Sequence, residues 1–195
     1  MTDAVEIVSD LVKIPSVSPF GRNETERRER FERCREVLAY LEEFLQKQGA
    51  QTEQLVFEGG HDKWWYPVPN LYAELTIGDR KAADHKFLCY MGHIDVVPVG
   101  EEKLWRRPPF SGQIDEGFVW GRGATDMKGS GGAWISALEK LKAGKGVGVN
   151  LTIGTLITGD EEWAAVNGSD KVLAWMKANG KNPDAFIVGE PSSRD

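Results

Sequence analysis

Residues 87–98 have the sequence FLCYMGHIDVVP, and this stretch decides the fold. Its first five residues are apolar and have the length and composition of a buried strand. His93 and Asp95 follow where the apolar run stops, and in an extended segment their spacing points them to the same side. Because ligands of open α/β sheets bind beyond the carboxyl ends of the strands, this pair predicts a functional site at a strand end.

The same kind of apolar run recurs along the chain. Strands are predicted over residues 54–57, 70–77, 87–91, 149–157 and 185–188, with a short hairpin formed by 112–114 and 118–120. Helices are predicted over residues 2–13, from near Asn23 to Gly49, over 127–141 and over 170–179. Strands that alternate with helices predict an α/β sandwich with a largely parallel sheet.

The second helix carries the clearest local signals. Asn23 with Glu26 three residues later forms a capping box, and Gly49 closes the helix. An apolar stripe at helical spacing predicts its buried face: Phe31, Cys34, Leu38, Leu41 and Leu45. The charge-dense run over 26–36 is interpreted as a solvated face with opposite charges in contact.

Composition excludes several classes of function. The formal net charge of −6 argues against a nucleic-acid surface, and no apolar run approaches the roughly 20 residues that cross a bilayer. Cys34 and Cys89 lie in apolar patterns and are predicted to be buried free thiols, which fits a reducing cytosol. The acidic N-terminus does not resemble a signal peptide. A cytoplasmic protein without nucleic-acid or membrane partners is therefore expected.

Further acidic residues lie at other predicted element ends. Asp126 follows the glycine-rich residues 121–125 and precedes a helix, so it is either an N-cap or a carboxylate that bridges two cations. Glu161 and Glu162 follow a strand, where they either favour a helix start through its dipole or supply a metal ligand and a proton acceptor. Glu190 follows the last predicted strand.

Taken together, these carboxylates predict a metal site. Bringing five of them to one place without a cation would cost several kcal/mol for each ion removed from water. One histidine with several carboxylates suits Zn²⁺, with Mn²⁺ or Co²⁺ as alternatives. Two metals that share a carboxylate are typical of hydrolases, because the ions activate water near neutral pH and clamp the reaction intermediate.

At these residues the chain resembles the zinc metallopeptidase family of aminoacylases, carboxypeptidases and deacylases. The resemblance rests on MGHIDVVPVG, Trp105 with PPFSG, WGRGATDMKGS, ITGDEE and IVGEPSS, in that order, and extends from Ile7 to the last residue. It implies a three-layer zinc-peptidase-like catalytic domain with two zinc ions. The members that it resembles most hydrolyse N-succinyl-LL-2,6-diaminopimelate to succinate and LL-2,6-diaminopimelate, in lysine and diaminopimelate biosynthesis.

The resemblance also implies the roles of individual residues. His93 and Glu190 would ligate the first zinc, Glu162 the second, and Asp126 both. Glu161 would be the general base, and Asp95 would orient His93. Arg122 with the turn of Gly121 and Gly123 would shape the approach to Asp126, either through turn geometry alone or also through substrate contact.

Two departures from the family pattern lead to further expectations. Trp163 and Ala164 stand where relatives usually have glycine, which puts the local turn in doubt. Relatives are also about twice as long, with a lid domain that carries the dimer contact and a later histidine ligand. Residues 1–195 are therefore interpreted as the N-terminal portion of the catalytic domain, without lid or C-terminal segment. We expect a complete first metal site, an incomplete second site and little or no activity.

Three alternatives remain open. A sister activity, such as acetylornithine deacetylation or another aminoacylase or carboxypeptidase reaction, would use the same metal residues. A non-catalytic truncated domain is the alternative of another class, although Glu161 favours a catalytic parent. The cluster over 64–67 either lines a pocket or packs as a loop. His61 and His85 are expected to face solvent, and GRGATDMKGSGG lacks the spacing of a coenzyme fingerprint.

Overall fold

The computed structural model describes residues 3–21, 23–59, 66–144 and 148–192. Its helices are α1 (Ala4–Lys13), α2 (Glu24–Lys47), α3 (Gly129–Ala143) and α4 (Ser169–Ala178). Its strands are β1 (Gln51–Phe57), β2 (Val68–Ile77), β3 (Lys86–His93), β4 (Gln113–Asp115), β5 (Phe118–Trp120), β6 (Leu151–Thr158) and β7 (Ala185–Val188). The predicted α/β class is confirmed.

The main sheet has five strands in the order β1-β2-β6-β3-β7, and β4 pairs with β5 in a separate hairpin. β2 runs antiparallel to both β1 and β6, whereas β3 runs parallel to β6 and to β7. The sheet is therefore mixed, and its parallel part comprises β6, β3 and β7. The carboxyl ends of these three strands meet at one edge of the sheet.

Helices cover both faces of the sheet. On one face the apolar sides of α1, α2 and α3 form the larger core with residues such as Leu71, Ile153 and Ile157. On the other face α4 contributes Val172 and Met176 to a smaller core. These three layers fit the resemblance.

Local signals placed most element ends correctly. The Asn23 side chain accepts the backbone N–H of Glu26 at 2.9 Å, as the capping box predicts. Cys34 lies within the buried stripe of α2, and Cys89 is buried on β3, both as free thiols. The helix predicted from residue 127 instead begins at Gly129, because Asp126 and Met127 have non-helical backbone angles.

One expectation about the histidines is wrong. His85 is half-buried, and its ring hydrogen-bonds the Thr152 hydroxyl at 2.9 Å, because the loop before β3 folds back over the start of β6. His61 and residues 64 and 65 of the cluster over 64–67 lie outside the described residues. Tyr66 is the described member of the cluster whose side chain is buried, and it packs against Phe20.

No helix in the part of the chain that the structure describes combines the length and the hydropathy that a membrane crossing requires.

Adjacent glycines of α3 offer a test of the contact between α3 and α1. A Cβ added at Gly132 would lie 2.5 Å from Val8 Cγ2, whereas a Cβ at Gly131 would meet nothing within 4 Å. We expect Gly132→Ala to lower the free energy of unfolding by about 1–3 kcal/mol through overpacking. Gly131→Ala, the matched control, should raise it by about 0.5–1 kcal/mol through helix propensity. Urea unfolding of both variants measures the difference, and equal effects would contradict the packing.

Candidate metal centre

Four separate segments bring their polar side chains to the carboxyl edge of β3, β6 and β7. His93 is the last residue of β3, and Glu190 lies two residues beyond the end of β7. Glu161 and Glu162 follow β6 in a loop. Asp126 lies in the irregular turn before α3. The parallel strands thus deliver residues that are distant in the sequence to one place.

His93 is the centre of this arrangement. Its side chain is 1% exposed, and its Nε2 lies 3.2 Å from Asp126 Oδ1, 3.3 Å from Glu190 Oε1 and 3.6 Å from Glu161 Oε2. The three carboxylates are half-open to solvent. A buried imidazole nitrogen therefore faces an accessible ring of carboxylate oxygens.

The other ring nitrogen fixes the tautomer of His93. Nδ1 lies 2.9 Å from the backbone carbonyl oxygen of Asp95, which can only accept a hydrogen bond. The Nδ1–H therefore donates to this carbonyl, and in the neutral ring the lone pair of Nε2 points at the carboxylates. This is the orientation that a histidine metal ligand needs.

The Asp95 carboxylate has a second function in the structure. It is fully buried and accepts the backbone N–H of Glu161 at 3.1 Å and that of Glu162 at 3.1 Å. Its Oδ1 is also 3.5 Å from His93 Nδ1. One side chain thus joins the end of β3 to the loop after β6. Sequence reasoning anticipated the contact with His93 but missed the contacts with the loop.

Asp160 is a supporting residue that sequence reasoning did not single out. It is 1% exposed and accepts hydrogen bonds from the Tyr66 hydroxyl at 3.0 Å and the Asn167 backbone N–H at 3.0 Å. Burial raises the pKa of this carboxyl. Its position directly before the paired glutamates was the available signal, because three successive acids at a strand end cannot all face the same centre.

The turn of Gly121 and Gly123 carries the chain to Asp126 through two close approaches. A Cβ at Gly123 would lie 2.6 Å from Val96 Cγ1, and both glycines have positive φ, 150° and 82°. The turn geometry expected from the sequence is therefore present. Arg122 lies over the Trp105 ring at 5.1 Å.

Neither helix-terminus alternative describes these acids. Asp126 does not cap α3, whose N-terminal flank is Lys128 without a side-chain cap. Glu161 and Glu162 precede α4 by several residues and lie in irregular structure. The Asp126 and Glu161 side chains are instead directed at His93.

The departure at Trp163 is accommodated by aromatic stacking. Trp163 stacks on Phe20 with ring centroids 4.9 Å apart and planes 10° apart. The positive φ of this loop falls on Ala165, at 52°. The turn that was in doubt therefore forms without glycine at residues 163 and 164.

The charges of the cluster shift its pKa values. Burial alone lowers the pKa of His93, but the hydrogen bond and charge of Asp95 and the charge of Glu190 outweigh it and raise that pKa to about 9. Burial, followed by the charge of Asp126, raises the pKa of Glu162. Burial and the charge of Glu161 raise the pKa of Glu190, although His93 opposes them. Burial and the negative charges that crowd this edge thus favour the protonated form of both glutamates, and the same negative charges favour the protonated form of His93.

The donor set fits one divalent cation. Among the described residues, His93, Asp126 and Glu190 each offer one ligand atom, and these atoms lie within 4.8 Å of one another. Ligands about 2.0–2.2 Å from a tetrahedral zinc ion lie about 3.3–3.6 Å apart, close to the 3.2 Å and 3.3 Å that separate His93 Nε2 from Asp126 Oδ1 and Glu190 Oε1. Glu162 lies outside this triad, although its pKa responds to Asp126 and His93.

Comparison with known proteins identifies the family. A model of peptidase family M20/M25/M40 matches residues 89–195. A succinyl-diaminopimelate desuccinylase of Xanthobacter autotrophicus is 36% identical over 189 residues, which are 97% of this chain and 43% of the relative. The chain thus spans less than half the length of this curated relative.

Solved structures agree with this family. The M20 family metallo-carboxypeptidase Sso-CP2 from Sulfolobus solfataricus superposes with a TM-score of 0.72 at 26% identity, over 98% of this chain and 38% of that one. Human carnosine dipeptidase 1 superposes with a TM-score of 0.77 at 25% identity, over 97% of this chain and 38% of that one. Motif order, sheet topology and the cluster around His93 therefore agree, and the chain belongs to peptidase family M20/M25/M40.

Proposed function

We propose that this chain is the metal-binding part of a hydrolase that cleaves an amide bond in an N-acylated amino acid. The observation that carries the proposal is the convergence of Asp126, Glu161 and Glu190 on Nε2 of His93. Three carboxylates at this distance from one buried nitrogen repel one another, and a divalent cation bound among them would offset this repulsion. A purely structural domain has no need for this arrangement.

Each side chain has a proposed role. His93 and Glu190 would hold the first ion, Glu162 would contribute to the second, and Asp126 would be a ligand of both. A divalent metal bound there supplies a Lewis acid that polarises the amide carbonyl and activates water near neutral pH. Glu161 accepts the proton from the attacking water at its carboxylate and returns it to the leaving amine. Zn²⁺ is the proposed metal, with Co²⁺ or Mn²⁺ as substitutes.

N-succinyl-LL-2,6-diaminopimelate is the proposed substrate of the whole protein, in lysine and diaminopimelate biosynthesis. The 36% identity to a succinyl-diaminopimelate desuccinylase supports it. Acetylornithine deacetylation and peptide cleavage are the competing activities, and the likeness to a carboxypeptidase and a dipeptidase supports the latter. All three reactions would use the same metal residues, so the substrate is set by other groups.

We further propose that residues 1–195 form the N-terminal portion of a catalytic domain. The part of the relative that this chain does not match would supply the lid, the dimer contact and a further ligand of the second ion. The proposed location is the cytoplasm, where the buried free thiols of Cys34 and Cys89 would stay reduced.

The role of Asp95 is tested by Asp95→Asn. Asn keeps the backbone carbonyl that accepts from His93, but its amide nitrogen would face a backbone N–H of Glu161 or Glu162, and the negative charge beside the His93 ring would be lost. We expect Zn²⁺ affinity, measured by calorimetry with a competing chelator, to fall by about tenfold to a hundredfold.

Asp184→Asn is the matched control for this experiment. The Asp184 carboxylate accepts the N–H of Phe87 at 2.7 Å, at the opposite end of β3. This variant should lose some stability but keep the affinity for Zn²⁺. Equal losses of affinity in both variants would show that Asp95 acts only through general stability.

The separation of ligand from general base is tested by three isosteric changes. Glu190→Gln should weaken Zn²⁺ binding at the tight first site. Glu162→Gln should leave the first site unchanged and weaken binding only at the second, lower-affinity site. Glu161→Gln should leave the binding of the first ion intact but lower any turnover by about 10²–10⁴-fold. Calorimetric titrations and rates on the same preparations give both quantities. Two equally tight sites in the unsubstituted chain, or loss of the tight site in Glu161→Gln, would contradict these roles.

The substrate proposal is tested by comparing N-succinyl-LL-2,6-diaminopimelate, N-acetylornithine and a dipeptide with the Zn²⁺-loaded protein. Release of succinate is expected to be fastest, at a low rate, because Asp126 and Glu162 alone are proposed to hold the second ion in this chain. The rate of each of the three reactions is measured in the same assay, which detects the amine that is released. Faster cleavage of either other substrate would exclude the desuccinylase assignment and keep the metal-dependent hydrolase.

A further inference from the structure

Each candidate ligand of the first ion has a sequence neighbour in one small packing contact beneath the site. Gly92 precedes His93, Gly189 precedes Glu190, and Met127 follows Asp126. The parallel register pairs Met91 with Val188, so the next step places Gly92 beside Gly189. The two strands therefore enter the site side by side through glycine.

These glycines are required for space. Neither Gly92 nor Gly189 has a φ in the left-handed range, so their backbone conformations are open to other residues. A Cβ at Gly92 would lie 2.7 Å from Met127 Cε and 2.9 Å from the Tyr90 hydroxyl. A Cβ at Gly189 would lie 2.6 Å from Met127 Cε and 2.6 Å from Ser130 Oγ. Met127 and Tyr90 close both positions, and Ser130 also closes Gly189.

The side chains of Tyr90, Met127 and Ser130, here called the ligand support, are fixed to one another. Ser130 Oγ donates to the Met127 carbonyl at 3.1 Å, so the Tyr90 hydroxyl donates to Ser130 Oγ at 2.9 Å. Tyr90 stacks on Trp134 with ring centroids 4.8 Å apart. Tyr90 and Met127 are 2% and 1% exposed, so neither can move aside into solvent.

The ligand support also contacts the backbone of a candidate ligand. The backbone N–H of His93 donates to Met127 Sδ at 3.3 Å. Met127 thus links the residue after Asp126 to the strand that carries His93. Its methyl group fills the place where side chains at Gly92 and Gly189 would be.

We propose that Tyr90, Met127 and Ser130 are positioning residues that set the spacing of His93, Asp126 and Glu190. Because Gly92 and Gly189 have no side chains, the ends of β3 and β7 pack closely against this support. This packing brings His93 and Glu190 close enough to bind one ion. The inference rests on the proposed function, because it assigns the support a role toward the metal. It goes beyond packing, because a metal site needs its ligands held within about 0.5 Å of the productive geometry, and these two strand ends carry His93 and Glu190.

The test uses Gly92→Ala and Gly189→Ala. Each added methyl must displace either its strand end or the buried side chains of the ligand support, and both displacements disturb the spacing of the ligands. We expect the dissociation constants for Zn²⁺ and Co²⁺ to rise by about tenfold or more, the effect seen when the groups that orient ligands are disturbed. The visible absorption of bound Co²⁺, which reports ligand geometry, should also change.

Gly154→Ala is the matched control. A Cβ there would lie 2.9 Å from Cys89 Sγ, a similar clash, but on the central strand β6 and away from the ligands. This variant should lose stability in urea unfolding and keep both the dissociation constant and the Co²⁺ spectrum. A purely structural role of the two glycines would make all three variants alike.

Tyr90→Phe serves if the glycine variants do not fold. It keeps the stack on Trp134 and removes the hydroxyl that bonds Ser130, so weaker Co²⁺ binding and an altered spectrum are expected. Unchanged binding and spectrum in the folded variants would overturn the positioning role alone. An unsubstituted chain that binds neither ion would overturn the proposed function, and this inference with it.

Discussion

The parallel pairing of β3 with both β6 and β7 is the constraint on which the other features depend. Parallel strands end at the same edge of a sheet, so residues separated by long stretches of chain arrive together. This pairing brings together three residues: His93 at the end of β3, Glu161 in the loop after β6, and Glu190 just after β7. The antiparallel strands β1 and β2 widen the sheet and its cores without contributing to the candidate centre.

Electrostatics gives this edge its chemical character. Carboxylates that crowd an imidazole raise its affinity for protons, and the pKa of His93 near 9 reports that crowding. A divalent cation that binds there must displace the protons from these groups, so its affinity is expected to rise with pH. The structure also supports the charged groups with buried acceptors, since Asp95 and Asp160 hold the backbone of the loop that carries Glu161 and Glu162.

The family relation and the site describe different levels of function. Family membership establishes the hydrolase type, and the cluster around His93 provides a place for its metal. The choice of substrate depends on groups that recognise its acyl and amino portions. The metal ligands would be the same for all the competing substrates. For that reason the proposed desuccinylase activity rests on the likeness to a relative, whereas the metal centre rests on this chain's own geometry.

Strands, helices and the candidate ligands followed from local pattern. Apolar runs, the cap at Asn23 and polar residues at strand ends are encoded within a few residues of where they act. The sequence pattern predicted that α3 starts at Met127, but Asp126 and Met127 have non-helical backbone angles. Met127 contacts the distant strand β3, and a local sequence pattern does not contain that contact. The half-burial of His85 has the same origin, in a loop that folds over β6.

Composition and motif spacing were therefore enough to predict the fold class and to single out His93, Asp126, Glu161 and Glu190, which the structure brings together. Only the tertiary structure showed that Asp95 connects the end of β3 to the loop after β6, and that Asp160 supports that loop. It also showed that Gly92 and Gly189 pack against the same ligand support. These contacts join residues far apart in the sequence. Their geometry depends on strand register and on the volumes of packed side chains, which a local pattern does not contain.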